Sequence, residues 1–228
     1  MRTPSSNIDF SAILAKLQAP SCAERAVAVT PERLAAWAGE MATHGYRHTE
    51  ATLEALRLYL AGYGLIMFGN CGTGKTFFFS AIGKARTAHG MEAPLVYPLM
   101  DTVGRKVDEV REWFIAAERH EVVLDDIGAE PTFNEYGNRW DILPWLLEMR
   151  LAASGRTHFT TNLKPAELRN RYGVRVVDRL NEMAAQVTLD GKSNRRTKPN
   201  AAVVRATERA IRAAEAKKPK PQPPELPK

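Results

Sequence analysis

The sequence predicts an α/β fold, a five-stranded parallel sheet flanked by helices with a short helical segment ahead of it. Three observations carry this. From Leu65 onward, apolar runs of three to five residues alternate with longer stretches of helical length. The first run, Leu65-Ile66-Met67-Phe68, enters a glycine-rich turn, and a later one, Val122-Val123-Leu124, ends in two acids. Short unbroken apolar runs separated by helices are the pattern of parallel strands covered on both faces.

The elements follow in order. Thr30-Pro31 reads as an N-cap followed by proline at the first helical position, so a helix is expected to about Ala42, ended by His44-Gly45. A second helix is expected over Thr49–Leu60, with Leu53, Leu56 and Leu60 on one face, closed by Gly62 and Gly64. The strand at 65–68 is followed by a helix from Lys75 to about His89, a strand at Leu95–Tyr97, and a helix from Asp101 to about Arg119. Glu121–Asp125 reads as a strand. Tyr136–Ala153 reads as a helix, with Pro144 a kink or break. Thr157–Thr161 is expected as a strand, Pro165–Arg171 and Val174–Met183 as short helices, and Gln186–Leu189 as the last strand. Residues 200–216 suit one more helix, and the proline- and lysine-rich 217–228 suits a disordered tail. The expected division is 1–48, a partly irregular N-terminal segment; 49–199, the core; and 200–228, a helix and basic tail.

Composition narrows the class. No run approaches the roughly 18 apolar residues of a membrane helix. The first twenty residues do not form a secretory signal, because Lys16 and Gln18 interrupt the apolar stretch. The two cysteines, Cys22 and Cys71, have neither metal-ligand nor disulfide-framework spacing, which fits a reducing, cytoplasmic setting and no membrane. The net charge of +6 is uneven. Residues 191–228 hold 11 Lys or Arg against 3 Glu, leaving the rest of the chain slightly acidic. Such a basic segment suits a phosphate backbone or an acidic partner, and equally a solvated tail.

The glycine-rich turn is GNCGTGKT: Gly69, Asn70, Cys71, Gly72, Thr73, Gly74, Lys75 and Thr76. The spacing G-x-x-x-x-G-K-T is that of a P-loop. Its glycines let backbone N–H groups close around phosphate oxygens, and the helix starting at Lys75 turns its positive end to the same anion. Lys75 is expected on the β- and γ-phosphates of ATP, and the Thr76 hydroxyl on Mg2+. Cys71 is a redox switch or, more simply, a tolerated filler of the loop.

Hydrolysis needs a further magnesium contact and a group that orients water. VVLDDIGAE supplies both at a strand end: Asp125 is expected on the metal, and Asp126 in the position of the water-activating carboxylate. Glu130 is either a supporting acid or an exposed loop residue. The acidic pair favours an ATPase over a small-molecule kinase, which needs acceptor-binding arginines and a lid.

GNCGTGKT, VVLDDIGAE, HFTTNL and YGVRVVDRL together resemble the AAA+ ATPases of the initiator group, and among them the DnaC-type helicase loaders and IstB-type transposition helpers. The resemblance covers roughly residues 50–196. It implies that Asn162 is the polar sensor at the fourth strand's end. It also implies that Arg179, with Arg175 as fallback, is an arginine finger reaching a neighbouring subunit's ATP, and that Arg196 or Arg195 is the second sensor. With about thirty residues after GKSNRRTKP, a reduced C-terminal lid is expected. Two cysteines cannot build the four-cysteine zinc site of some loaders.

Three functions share these motifs. The favoured one is an ATP-dependent loader of a replicative helicase that binds single-stranded DNA and assembles as a homo-oligomer. Arg105, Lys106 and Arg111 are weak candidates for its DNA groove. The others are a transposition helper on duplex DNA and a slowly hydrolysing, nucleotide-bound adaptor. Trp113, Phe114, Trp140 and Trp145 read as helical packing residues.

Overall fold

The structure, a computed structural model, describes residues 27–135, 138–153, 155–191 and 193, with backbone alone at 133–135 and 138–140. The chain divides into two compact units, Met1–Ser193 and Asn194–Lys228. The second unit, with the expected helix at 200–216, the basic tail, Arg195 and Arg196, lies outside the described residues, as do residues 1–26.

The first described helix, α1 (Pro31–Thr43), begins where the Thr30 side chain accepts from the Arg33 N–H, with Pro31 in the first turn. Helix α2 (Glu50–Ala61) opens with a reciprocal Thr49–Thr52 capping box and ends at Gly62, whose left-handed φ of 103° only glycine adopts freely. Strand β1 (Gly64–Phe68) leads into α3 (Lys75–Ala88), then β2 (Leu95–Pro98). Helix α4 (Val107–Ala116) and strand β3 (Val122–Ile127) follow. A two-stranded antiparallel sheet, β4 (Phe133–Glu135) and β5 (Asn138–Trp140), precedes α5 (Ile142–Ala152). The chain then runs through β6 (Thr157–Thr161), α6 (Pro165–Tyr172), α7 (Val174–Met183) and β7 (Ala184–Thr188).

Five strands form one parallel sheet in the order β2-β3-β6-β1-β7, as expected from the apolar runs. Strand β1 shows why its run is unbroken. Leu65 and Met67 pack with Leu56, Phe78, Phe79 and Ile82 of α2 and α3. Ile66 and Phe68 pack on the opposite face with Phe114, Leu146, Leu147 and Leu180 of α4, α5 and α7. Helix α1 adds Leu34, Trp37 and Met41 to the α2–α3 side. Every β1 side chain is therefore buried, at about 1.5–3 kcal/mol for each large apolar group.

Two expected helices are shorter than their periodicity suggests. The stretch from Asp101 splits into a 3-10 turn, Leu99–Thr102, and α4, because Gly104 takes a φ of 75° and breaks the helical ladder. The expected helix from Tyr136 begins only at Ile142, after Asp141 in extended conformation. Trp140 therefore lies on a strand rather than a helix. Pro144 neither kinks nor breaks α5: it sits in the first turn, where its missing N–H would have had no intrahelical partner. Among the described residues no helix is long and apolar enough to cross a membrane.

Candidate nucleotide site

The strand order determines where chemistry can gather. The connection leaving β1 crosses to β2 on one side, and the connection leaving β6 crosses to β7 on the other. A crevice therefore opens at the carboxyl ends of β1 and β6, the usual ligand position in an open parallel sheet. The P-loop follows β1, the acidic pair ends β3, and β6 lies between them with Asn162 just beyond its end.

Glycine is required at two P-loop positions. Gly69 has a φ of 147°, and a Cβ there would lie 2.5 Å from the Leu189 carbonyl oxygen. Gly74 has a φ of 102° and starts α3 without any side-chain cap, so the helix end is kept for the loop to fold over. The Thr73 hydroxyl donates to the Asn70 carbonyl at 2.9 Å and tightens the turn. Cys71 is exposed with a free thiol.

Lys75 is 4% exposed and folds back into the loop. Its Nζ donates to the carbonyls of Gly69 at 2.7 Å and Asn70 at 3.0 Å, and to Asn162 Oδ1 at 2.7 Å. The Thr76 hydroxyl donates to the Asp125 carboxylate at 2.9 Å and 3.1 Å. Asp125 itself is 6% exposed. Thr76 and Asp125 thus present hard oxygen donors side by side, the chemistry Mg2+ takes. Among the described residues there is no cluster of three or more His, Cys, Asp or Glu that could hold a metal. Magnesium needs none here, since it commonly binds one or two carboxylates together with substrate phosphates.

A β-bulge explains how two adjacent aspartates reach one site. In a regular strand they would face opposite sides of the sheet. Between β3 and β6 the register runs Leu124 to Phe159 and then Ile127 to Thr161, so β3 carries one extra residue. Asp126 takes a φ of 56°, the positive φ tolerated best by Asp and Asn among non-glycine residues. As a result Asp125 meets Thr76, while Asp126 accepts from Asn162 Nδ2 at 3.0 Å. The Asn162 amide therefore joins Lys75 to Asp126.

Thr160 is a site residue that sequence reading missed. Its hydroxyl donates to Asp125 Oδ1 at 2.6 Å and accepts from the Asp126 N–H at 2.9 Å, bracing the bulge. The available signal was the polar string THFTT in a central strand buried along its whole length, where each hydroxyl needs a partner.

Glu130 corrects the alternative of an exposed loop acid: it is 1% exposed. It accepts from the Gly128 N–H at 2.8 Å and from the Tyr172 hydroxyl, and lies 3.7 Å from the Arg171 guanidinium. Arg179 lies on α7, paired with Glu182 at 2.9 Å and Glu148 at 3.6 Å, and Arg175 reaches Glu148 at 3.8 Å. Arg196 lies outside the described residues.

No protein-family model matches the chain. Among characterised proteins it is similar to the replicative helicase loader DnaI of Bacillus subtilis (strain 168), 25% identical over 173 residues, which are 66% of this chain and 53% of DnaI. The chain thus spans about half the length of that relative. A crystal structure of DnaI superimposes with a TM-score of 0.51 at 19% identity, over 65% of this chain and 89% of that one. A crystal structure of the DnaC helicase loader gives 0.48 at 19% identity, over 68% and 99%. Motifs, strand order and the DnaI likeness converge: the chain has a P-loop α/β fold and is similar to the replicative helicase loader DnaI.

Proposed function

We propose that the protein is an ATPase that loads a replicative helicase, with ATP binding and hydrolysis governing assembly and release. The observation that carries the ATPase reading is the bridge from Lys75 through the Asn162 amide to Asp126. The Lys75 ammonium, the Asn162 amide and the Asp126 carboxylate meet there through two hydrogen bonds, which supports reading them as a phosphate-binding cation, a polar sensor and a water-activating carboxylate. The similarity to DnaI supports the loader reading.

In this reading the backbone of Gly69, Asn70, Cys71, Gly72, Thr73 and Gly74 cradles the phosphates, and Lys75 leaves the Gly69 and Asn70 carbonyls to meet them. Thr76 and Asp125 would hold Mg2+, which would supply electrostatic stabilisation of the phosphates. Asp126 orients and deprotonates the attacking water, and Asn162 holds Asp126 in place while contacting the γ-phosphate. Arg179, with Arg175 as fallback, completes the site of a neighbouring copy, so the active species is a homo-oligomer. Arg196 or Arg195 contributes the second sensor. Exposed Arg105, Lys106 and Arg111, around the start of α4, belong to the surface offered to single-stranded DNA. The ATPase core spans 49–199, and the N-terminal segment 1–48 meets the helicase. The setting is cytoplasmic.

The test pairs nucleotide binding with helicase transfer. The wild type should bind a fluorescent ATP analogue and promote deposition of a hexameric replicative helicase on single-stranded DNA. Lys75→Ala should weaken nucleotide binding by about a hundredfold or more and abolish ATP-dependent deposition. Retained tight ATP binding by Lys75→Ala would remove the site assignment. Transfer restricted to duplex DNA would favour a transposition helper.

A further inference from the structure

Glu130 is a buried acid that the proposed chemistry does not use, and its surroundings suggest a purpose. Three groups converge on it, one from its own loop and two from a helix some 40 residues on. The Gly128 N–H belongs to its own loop, just after the acidic pair. The Tyr172 hydroxyl and the Arg171 guanidinium belong to the last turn of α6. Arg171 also donates to the carbonyls of Gly128 and Glu130, lies 3.6 Å from Asp141 at the start of α5, and stacks over the Tyr172 ring. Burial, then the adjacent Glu130 charge, raises the Tyr172 phenol above its ordinary range, so it stays a donor to the carboxylate.

The loop has little freedom under this clamp. The Ala129 N–H donates to the Asp126 carbonyl, and a Cβ on Gly128 would lie 2.3 Å from the Leu163 side chain. Asp126 is thus tied on one side to Asn162 and on the other, through residues 128–130, to α6. Helix α6 passes through Gly173 into α7, which carries Arg175 and Arg179.

Resting on the ATPase reading above, we infer that Glu130, Arg171 and Tyr172 form a positioning clamp that holds the Asp126 segment in register with the α6–α7 pair. A displacement of α7, such as engagement of its arginines by a neighbouring copy, is thereby transmitted to the carboxylate that orients water. Glu130 does not touch substrate; it acts through Asp126.

The test uses the full chain with two variants, Tyr172→Phe and Glu130→Gln. Tyr172→Phe removes one donor and keeps the ring; Glu130→Gln keeps the shape and removes the charge. Turnover, affinity for a fluorescent ATP analogue, and amide hydrogen exchange of 124–132 and 165–183 are read together. The expected result is turnover lowered about tenfold, affinity changed less than about twofold, and faster exchange in both segments. Wild-type turnover in both variants overturns the inference, as does faster exchange confined to 124–132. A wild type that hydrolyses no ATP, alone or with DNA, sinks the ATPase reading and this role for Glu130 with it. That failure is told apart from the first because it appears before any substitution is made.

Discussion

The two ends of the sheet use charge in opposite ways. At the amino-terminal end, Glu121 accepts from Arg86 at 2.7 Å and Arg156 at 2.8 Å on one oxygen, and meets His158 Nε2 at 3.0 Å on the other. His158 is fully buried, and its Nδ1 accepts from the Leu65 N–H at 3.1 Å, so the proton sits on Nε2 and points at Glu121. Nearby, Arg150 is 3% exposed and, among the described residues, has no carboxylate partner at hydrogen-bonding distance. It donates instead to Thr157 and to the carbonyls of Ala117, His120, Gly155 and Arg156. Burial lowers its guanidinium to about 10. At the carboxyl-terminal end, Lys75 and Asp125 are equally buried, but they rest on loop carbonyls and hydroxyls that phosphates and a metal ion can replace. Charge closed on itself stabilises the sheet; charge held in exchangeable bonds is available for a ligand.

That contrast can be broken at both ends. The largest effect is expected from Arg150→Ala, which leaves several buried carbonyls without a donor. A loss of about 3–5 kcal/mol in urea unfolding is expected. A loss below about 1 kcal/mol would show that the acceptors find other partners. Next is Asp126→Ala, for which turnover should fall about a hundredfold while nucleotide affinity and thermal midpoint stay near wild type. A drop in midpoint instead would mean that Asp126 is structural, like the charges at the other end.

The smallest effect concerns pH. Burial lowers the folded His158 below its ordinary 6.5, outweighing the bond to Glu121. For Glu121, burial acts to raise it, but the His158 hydrogen bond and the Arg156 charge hold it well below its ordinary 4.5. Both groups bind protons more readily unfolded than folded. The contribution of His158 is therefore present above about pH 6.5 and that of Glu121 above about pH 4.5, each lost as pH falls. Thermal midpoints measured from pH 7 to pH 5 should fall for the wild type and fall less steeply for His158→Gln. Equal slopes would mean that His158 is not the group taking up the proton.

Much of the site was legible because its chemistry is local. GNCGTGKT needs only its own backbone to wrap, and a strand-helix junction to present it. The resemblance supplied Asn162, and the structure places it between Lys75 and Asp126. Thr160 and the burial of Glu130 were not legible, because their partners are some 34 to 42 residues away and meet them only when β6 lies between β1 and β3 and α6 packs beside the loop. The pairing of β4 with β5 was missed for a related reason: strand pairing depends on a partner segment, which sequence periodicity does not register.

By itself the sequence determined the fold class, the P-loop and the acidic strand end, since these follow from short-range geometry and hydrophobic patterning. Only the tertiary structure decided which way each acid faces. The extra residue in β3 and the positive φ of Asp126 turn two neighbouring carboxylates onto one site. That bulge is braced by Thr160 and Asn162, side chains brought there by the order of the strands and not by proximity in the chain.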